Sequence, residues 1–243
     1  METVSDTSDT SAGTSATAPI VPSVGRGVLH LFCKAPAGGV DREAVVAAVK
    51  SAQADDHQVV TFAVLGHKAD VGFMAVGSDL WRLQALQADL SAAGLVMADS
   101  YLSLTEVSEY AKGMPAEMLE SRLHPVLPPE GKRALCFYPM SKRRDLTGNW
   151  YTLPFEERRA LMEGHGRIGR TFAGRVVQLI TGSTGLDDWE WAVTLFAADP
   201  VALKECVHEM RFDQASAVYA EFGPFVTGLV APVEEVLSRV GAS

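Results

Sequence analysis

The chain has little cysteine, no surplus of basic residues and no long run of apolar residues. Its three cysteines, Cys33, Cys136 and Cys206, are odd in number and widely spaced. This argues against a disulfide framework and against a cysteine-based zinc site, and it favours a reducing, cytoplasmic setting. Because no apolar run approaches the roughly 20 residues that a bilayer-spanning helix needs, we expect no membrane segment.

Acidic residues outnumber basic ones, with 30 Asp and Glu against 21 Lys and Arg and a formal net charge of -9. Binding to nucleic acid requires basic groups that neutralise phosphates, so we expect no nucleic-acid partner. A basic cluster, Lys142 to Arg144, is compatible with a solvated loop or with a site for small carboxylates or phosphates. Residues 1–26 are rich in Ser, Thr, Ala and Asp, which predicts a disordered tail and not a secretory signal.

Helix and strand periodicities run through the order βαββαβ twice. In the first pass, Asp41 caps one predicted helix, Ser78 or Asp79 caps the other, and Gly94 ends it. In the second pass, Pro154 and Asp199 open the helices. The predicted strands are 28–32, 58–64, 71–76, 97–104, 134–138, 175–180, 189–196 and 215–221.

This order predicts an α+β protein in which two ferredoxin-like βαββαβ repeats form a dimeric α+β barrel within one chain. The N-terminal unit would cover residues 27–104 and the C-terminal unit residues 134–243. The linker between them, residues 105–133, contains a predicted short helix that starts at Pro115.

His165 is the most informative single residue of the chain. On the predicted helix 154–167 it shares a face with Leu161 and Ile168, at spacings of four and three residues. With glycine on either side, at Gly164 and Gly166, its imidazole can meet a flat metal-bearing ring that approaches the backbone. A hydrogen-bonded core histidine is the competing interpretation, and this stretch alone leaves both open.

A strand end at residues 137–142 carries three functional groups on alternating positions, so Tyr138, Met140 and Lys142 should share a face. They are either a core phenol and thioether beside a solvated lysine, or a redox-capable phenol beside a cation that holds a carboxylate. Arg211 and Ser216 follow a predicted helix and can bind an acid group. At the end of a helix, however, an arginine more often only satisfies the last carbonyls of that helix.

Five motifs in the C-terminal half together resemble a known family. They are Tyr-Pro-Met-Ser-Lys at 138–142, His-Gly-Arg-Ile-Gly-Arg at 165–170, Val-Val-Gln-Leu-Ile at 176–180, Asp-Asp-Trp-Glu-Trp at 187–191 and Met-Arg-Phe-Asp-Gln-Ala-Ser at 210–216. Over about residues 27–237 the chain resembles the coproheme decarboxylases of the chlorite dismutase family, in the actinobacterial form typical of Gram-positive bacteria.

The resemblance implies a heme-dependent enzyme that uses hydrogen peroxide to decarboxylate two propionates of iron-coproporphyrin III (coproheme), which gives heme b. The iron porphyrin is then both substrate and redox centre. His165 would be the iron ligand, and Tyr138 would become the radical that takes hydrogen from a propionate. The alternatives are a heme carrier or sensor without turnover, and a barrel that binds no metal.

Further site residues also follow from the resemblance. Gln178 stands where chlorite-decomposing members carry arginine, so we expect no chlorite dismutation. His124, the only linker histidine, would be the distal base, or else a plain surface histidine before Pro125. A homopentamer and a transient contact with coproporphyrin ferrochelatase are implied as well. The residues that would line the pocket or bind propionates are Tyr101, Met140, Lys142, Gln178, Arg211 and Ser216.

Overall fold

The computed structural model describes residues 18–54, 57–111 and 113–241. Asp41 and Asp79 cap the two helices of the N-terminal half, since their side chains accept from backbone N–H groups. This confirms Asp41 and selects Asp79 over Ser78. The elements of this half are β1 (Gly27–Lys34), α1 (Arg42–Ala52), β2 (Gln58–Leu65), β3 (Val71–Gly77), α2 (Leu80–Ala92) and β4 (Val96–Thr105).

The predicted disordered tail lies outside the described residues as far as residue 17. Residues 18–26 lead into β1, and within them the carbonyl of Ile20 accepts from the backbone N–H of Leu80 at 3.0 Å. This stretch therefore contacts the first turn of α2.

A short linker helix and a longer series of elements follow β4. Asp199 caps α5 as predicted, and the linker helix begins directly after Pro115. The elements are α3 (Ala116–Leu123), β5 (Ala134–Lys142), β6 (Arg144–Asp145), β7 (Gly148–Asn149), α4 (Phe155–Arg170), β8 (Val176–Gly182), β9 (Trp191–Ala197), α5 (Pro200–Met210), α6 (Gln214–Ala217), β10 (Ala220–Phe222), β11 (Val226–Val230) and α7 (Val233–Arg239).

The predicted last strand, 215–221, is wrong. The carboxylate of Asp213 accepts from the backbone N–H of Ser216 at 3.1 Å, and this cap turns the chain into α6. Only Ala220–Phe222 is extended, at the edge of β5. The two halves are joined by the pairs β11–β2 and β4–β8. Sequence reasoning missed β11, although its burial alternates as in a half-buried strand.

The nine longer strands form one large antiparallel sheet. The pairing order is β10-β5-β11-β2-β3-β1-β4-β8-β9, and β5 also pairs with β9, so the pairings return to β5. Within the N-terminal half the order is β4-β1-β3-β2, and within the C-terminal half it is β11-β5-β9-β8. Seven α-helices accompany this sheet among the described residues.

Three buried clusters hold these layers together. The first packs α1, α2 and α7 on the N-terminal strands. The second contains Phe32, Phe62, Phe137 and Phe196 from strands of both halves. The third packs α5 on the C-terminal strands. α4 differs, because none of its 16 residues is buried and its main contacts are with α5 and α6.

Among residues 18–54, 57–111 and 113–241, no helix combines the length and the apolar character that crossing a bilayer demands.

Candidate functional site

His165 lies on α4 and points its Nδ1 atom at α6. Nδ1 is 2.7 Å from Oδ2 of Asp213, and the hydroxyl of Ser216 lies 3.5 Å from the same nitrogen. Burial lowers the pKa of His165, although Asp213 acts in the opposite direction, so the ring is neutral at pH 7. A carboxylate can only accept, so Nδ1–H donates to Asp213 and Nε2 keeps the lone pair that a metal can bind.

Asp213 is a site residue that sequence reasoning missed. Its side chain is only 6% exposed and also accepts from the backbone N–H and the hydroxyl of Ser216, at 3.1 and 3.2 Å. The Asp-x-x-Ser spacing of a helix cap was the available signal. The cap therefore holds the carboxylate rigidly against His165.

α4 passes close to β8 at Gly169, one turn after His165. A Cβ atom added at Gly169 would be 3.7 Å from Nε2 of Gln178, in ordinary contact, and Ile180 on β8 is 46% exposed. Leu161, His165 and Ile168 along α4 are only half-buried. The half-buried positions of α4 and the exposed Ile180 of β8 thus leave apolar surface near the point where the two elements approach each other.

The glycines next to His165 do not approach β8. A Cβ atom at Gly164 would meet only the guanidinium of Arg167 at 3.8 Å, and one at Gly166 would meet that of Arg170 at 3.3 Å. Neighbouring helix positions point about 100° away from His165, whereas a residue four positions on shares its face. Of these three glycines, only Gly169 lies next to β8. The role of Gly164 and Gly166 in admitting a ring stays a prediction.

Tyr138 lies on the same face of β5 as Met140, and both pack in the cluster under α5, as the strand period predicts. The Tyr138 ring stacks on Phe225 at 4.4 Å and contacts Phe222 at 5.8 Å. Burial raises the pKa of Tyr138 far above its ordinary value, so the phenol keeps its proton. Sequence reasoning missed both phenylalanines; Phe222 ends β10 and Phe225 follows it, in a stretch without helical periodicity.

Arg211 and Lys142 bring positive charge to this region. The guanidinium of Arg211 lies 4.1 Å from the centroid of the Phe222 ring. The ammonium of Lys142 donates to the carbonyl of Ala215 at 2.9 Å and lies 4.2 Å from the ring centroid of Trp150. Burial lowers the pKa of Lys142 to about 8, against the raising effects of Asp213 and Glu190. Lys142 is therefore a buried cation beside α6, which also carries Ser216.

Two predicted site residues, Tyr101 and His124, lie apart from the residues around His165. Tyr101 is 4% exposed in the second cluster, with its hydroxyl bonded to that of Ser183, and burial raises its pKa to about 12. His124 ends α3, where Nδ1 accepts from Nε of Arg26 at 3.0 Å. Among the described contacts, neither joins the group around His165. Their functional roles stay predictions.

The sequence of the chain is similar to a family of known proteins. A sequence model described as chlorite dismutase matches residues 41–231. The chain belongs to the chlorite dismutase family. One relative in this family, the coproheme decarboxylase of Staphylococcus carnosus (strain TM300), is 42% identical over 199 residues, which are 78% of each chain.

Two solved structures are similar to the chain in fold. A heme-binding protein from Thermus thermophilus matches with a TM-score of 0.79 and 38% identity, covering 90% of this chain and 96% of the other. A variant chlorite dismutase from Candidatus Nitrospira defluvii matches with a TM-score of 0.71 and 20% identity, covering 90% and 96%. At 20% identity the likeness supports the fold alone.

The number of clustered ligand side chains limits how this chlorite dismutase family member can bind a metal. In the part of the chain that the structure describes, no three His, Cys, Asp or Glu side chains cluster so as to hold a metal ion. A metal at His165 must therefore bring most of its ligands with it, as iron does in a porphyrin.

Proposed function

We propose that the protein decarboxylates iron-coproporphyrin III with hydrogen peroxide and releases heme b. The observation that carries this proposal is a metal-competent imidazole, His165, and a buried phenol, Tyr138, over one face of the C-terminal strands. The 42% identity to a coproheme decarboxylase supports the same substrate.

The residues present fit an iron porphyrin. In this proposal the ring lies in a slot between α4 and β8, against the apolar surface near Gly169 and Ile180. Lys142 and Arg211 supply cations for the carboxylates of the substrate, and Ser216 supplies a hydroxyl. The iron, when bound, supplies the position at which peroxide is activated.

The chain then orients the substrate and provides the hydrogen acceptor. Asp213 fixes the imidazole of His165 in the tautomer that leaves Nε2 free. Tyr138 keeps its proton at neutral pH, so that it gives up a hydrogen atom and afterwards takes one from the propionate. Each propionate consumes one peroxide: R–CH2–CH2–COO⁻ + H2O2 + H⁺ gives R–CH=CH2 + CO2 + 2 H2O. Met140 and Gln178 line the slot in this proposal.

The remaining parts of the proposal have other support. The strand orders β4-β1-β3-β2 and β11-β5-β9-β8, together with the closed pairing, favour two ferredoxin-like repeats that form a dimeric α+β barrel. The roles of Tyr101 as a propionate contact and His124 as a distal base rest on family resemblance alone. So do the homopentamer, the cytoplasmic location and the contact with coproporphyrin ferrochelatase.

The test is titration with iron-coproporphyrin III, then peroxide, followed by mass spectrometry of the porphyrin. Two successive losses of one formic-acid equivalent each are expected. Tyr138→Phe should bind the substrate and form no product, whereas Tyr219→Phe, a tyrosine that packs on Trp150, should turn over normally.

Product formation by Tyr138→Phe would refute the radical role. Binding by the wild-type protein without any loss of carboxyl groups would favour a heme carrier or sensor.

A further inference from the structure

Two of the three cysteines, Cys136 and Cys206, lie in the buried cluster that contains Tyr138, and the proposed reaction does not use them. Cys136 precedes Tyr138 by two residues on β5, so their side chains leave the strand on one face, with Cα atoms about 6.6 Å apart. Cys206 faces the strands from α5, and its Sγ lies 3.7 Å from Nε2 of Gln178. One thiol is beside the phenol and the other borders the slot.

Both thiols are electrostatic neighbours of the phenol. After burial, the nearby Cys136 and Cys206 groups are the next causes of the raised pKa of Tyr138. Cys206 likewise adds to the effect of burial on the pKa of Cys136. Because the three groups also belong to one buried cluster, they form one compact set.

The protonation state of these thiols determines which oxidant they can react with. Burial raises the pKa of Cys136 to about 12 and that of Cys206 to about 11. Peroxide reacts with thiolates, so neither thiol reacts readily with peroxide itself. Transfer of a hydrogen atom from S–H to a phenoxyl radical needs no ionisation, and this route stays open.

We propose that Cys136 and Cys206 are a hydrogen-donor pair that returns Tyr138 to its phenol when its radical finds no propionate to oxidise. The inference rests on the proposed function, which supplies the peroxide and the radical. In the first step Tyr138–O• + Cys136–SH gives Tyr138–OH + Cys136–S•, so that an S–H bond breaks and an O–H bond forms.

The second oxidising equivalent of the same peroxide forms the Tyr138 radical again, and Tyr138–O• + Cys206–SH gives Tyr138–OH + Cys206–S•. The two sulfur radicals then join, and the sum is H2O2 + 2 RSH giving RSSR + 2 H2O. The pair would thus convert surplus peroxide into a reducible modification, while the tyrosine and the bound ring stay intact.

Cys33 is a control within the chain. It is fully buried on β1, and burial raises its pKa to about 12, much as for Cys136. Its Sγ lies 3.5 Å from Sδ of Met97, in the first cluster, whose described members include no tyrosine. Cys33 therefore matches the other two cysteines in burial and protonation. It differs because no tyrosine belongs to the described part of its cluster.

The experiment uses the full chain loaded with heme b, which leaves the radical without its ordinary substrate. After limiting peroxide, the protein is denatured and alkylated, and the free thiols are mapped by peptide mass spectrometry. The expected result is loss of two of the three alkylatable thiols, at Cys136 and Cys206, with Cys33 intact. All three should survive in Tyr138→Phe and in the ligand-free protein.

Intact thiols in the loaded wild-type protein would overturn the inference. Equal oxidation of Cys33, or oxidation without Tyr138, would also overturn it, because peroxide would then act directly. A parallel sample with coproheme separates the two proposals. Heme b formation with intact thiols under surplus peroxide rejects the donor pair alone, whereas absence of any product rejects the proposed function.

A double variant, Cys136→Ala with Cys206→Ala, adds a second readout. The tyrosyl signal in freeze-quenched electron paramagnetic resonance should persist longer than in the wild-type protein, and Cys33→Ala should leave its lifetime unchanged. An unchanged lifetime in the double variant would contradict hydrogen donation by these thiols.

Discussion

Replacement of Asp213 by asparagine tests how the imidazole of His165 is held. The Asp213 carboxylate accepts from Nδ1 of His165 at 2.7 Å and from the backbone N–H of Ser216 at 3.1 Å. Asparagine keeps the shape and one accepting oxygen, but it removes the negative charge that strengthens the bond to the imidazole. Loss of such an outer-shell partner costs about 10–100-fold in metal affinity, or about 1.4–2.7 kcal/mol.

The assay is a Soret titration with iron-coproporphyrin III and with metal-free coproporphyrin. Asp213→Asn should raise the Kd for the iron form by about 10–100-fold and leave the metal-free form unchanged, because only the iron engages His165. Asp199→Asn is the matched control, since Asp199 caps α5 through Val201. Equal weakening of both porphyrins, or unchanged iron affinity, would refute the role assigned to Asp213.

Three further changes test the surroundings of the site. Burial lowers the pKa of His30 from 6.5 to about 3, so its stabilising contribution is complete above pH 6.5 and is lost as the pH falls towards 3. Between about pH 7.5 and 4.5, urea unfolding should show a loss of stability on the order of 2–3 kcal/mol that His30→Gln lacks. Because the charged form of Lys142 disappears as pH rises through about 8, coproheme affinity should fall above that pH, and Lys142→Gln should bind weakly without this dependence. Gly169→Leu should weaken coproheme binding by filling the slot at Gln178, whereas Gly164→Leu should not, with calorimetric Tm as the check on folding.

Local rules account for the parts of the structure that sequence reasoning predicted. The caps at Asp41 and Asp199 each depend on a few adjacent residues. The shared face of Tyr138 and Met140 depends only on the two-residue period of a strand. The face that His165 presents likewise follows from the helical period.

Long-range pairing accounts for the parts that it did not predict. His165 and Asp213 meet across 48 positions, and no local pattern joins them. The insertion of β11 between β5 and β2 depends on the register of strands far apart in the chain. Gly169 faces Gln178 only because α4 crosses β8 at that point, so local composition drew attention to Gly164 and Gly166 instead.

Coordination of the porphyrin iron by His165 is the bond on which the proposed function depends. Resonance Raman spectroscopy of the ferrous coproheme complex measures it directly through the iron–imidazole stretching band. The band should be present in the wild-type protein, shift when histidine is labelled with nitrogen-15, and vanish in His165→Ala. An identical band in His165→Ala would mean that another residue holds the iron.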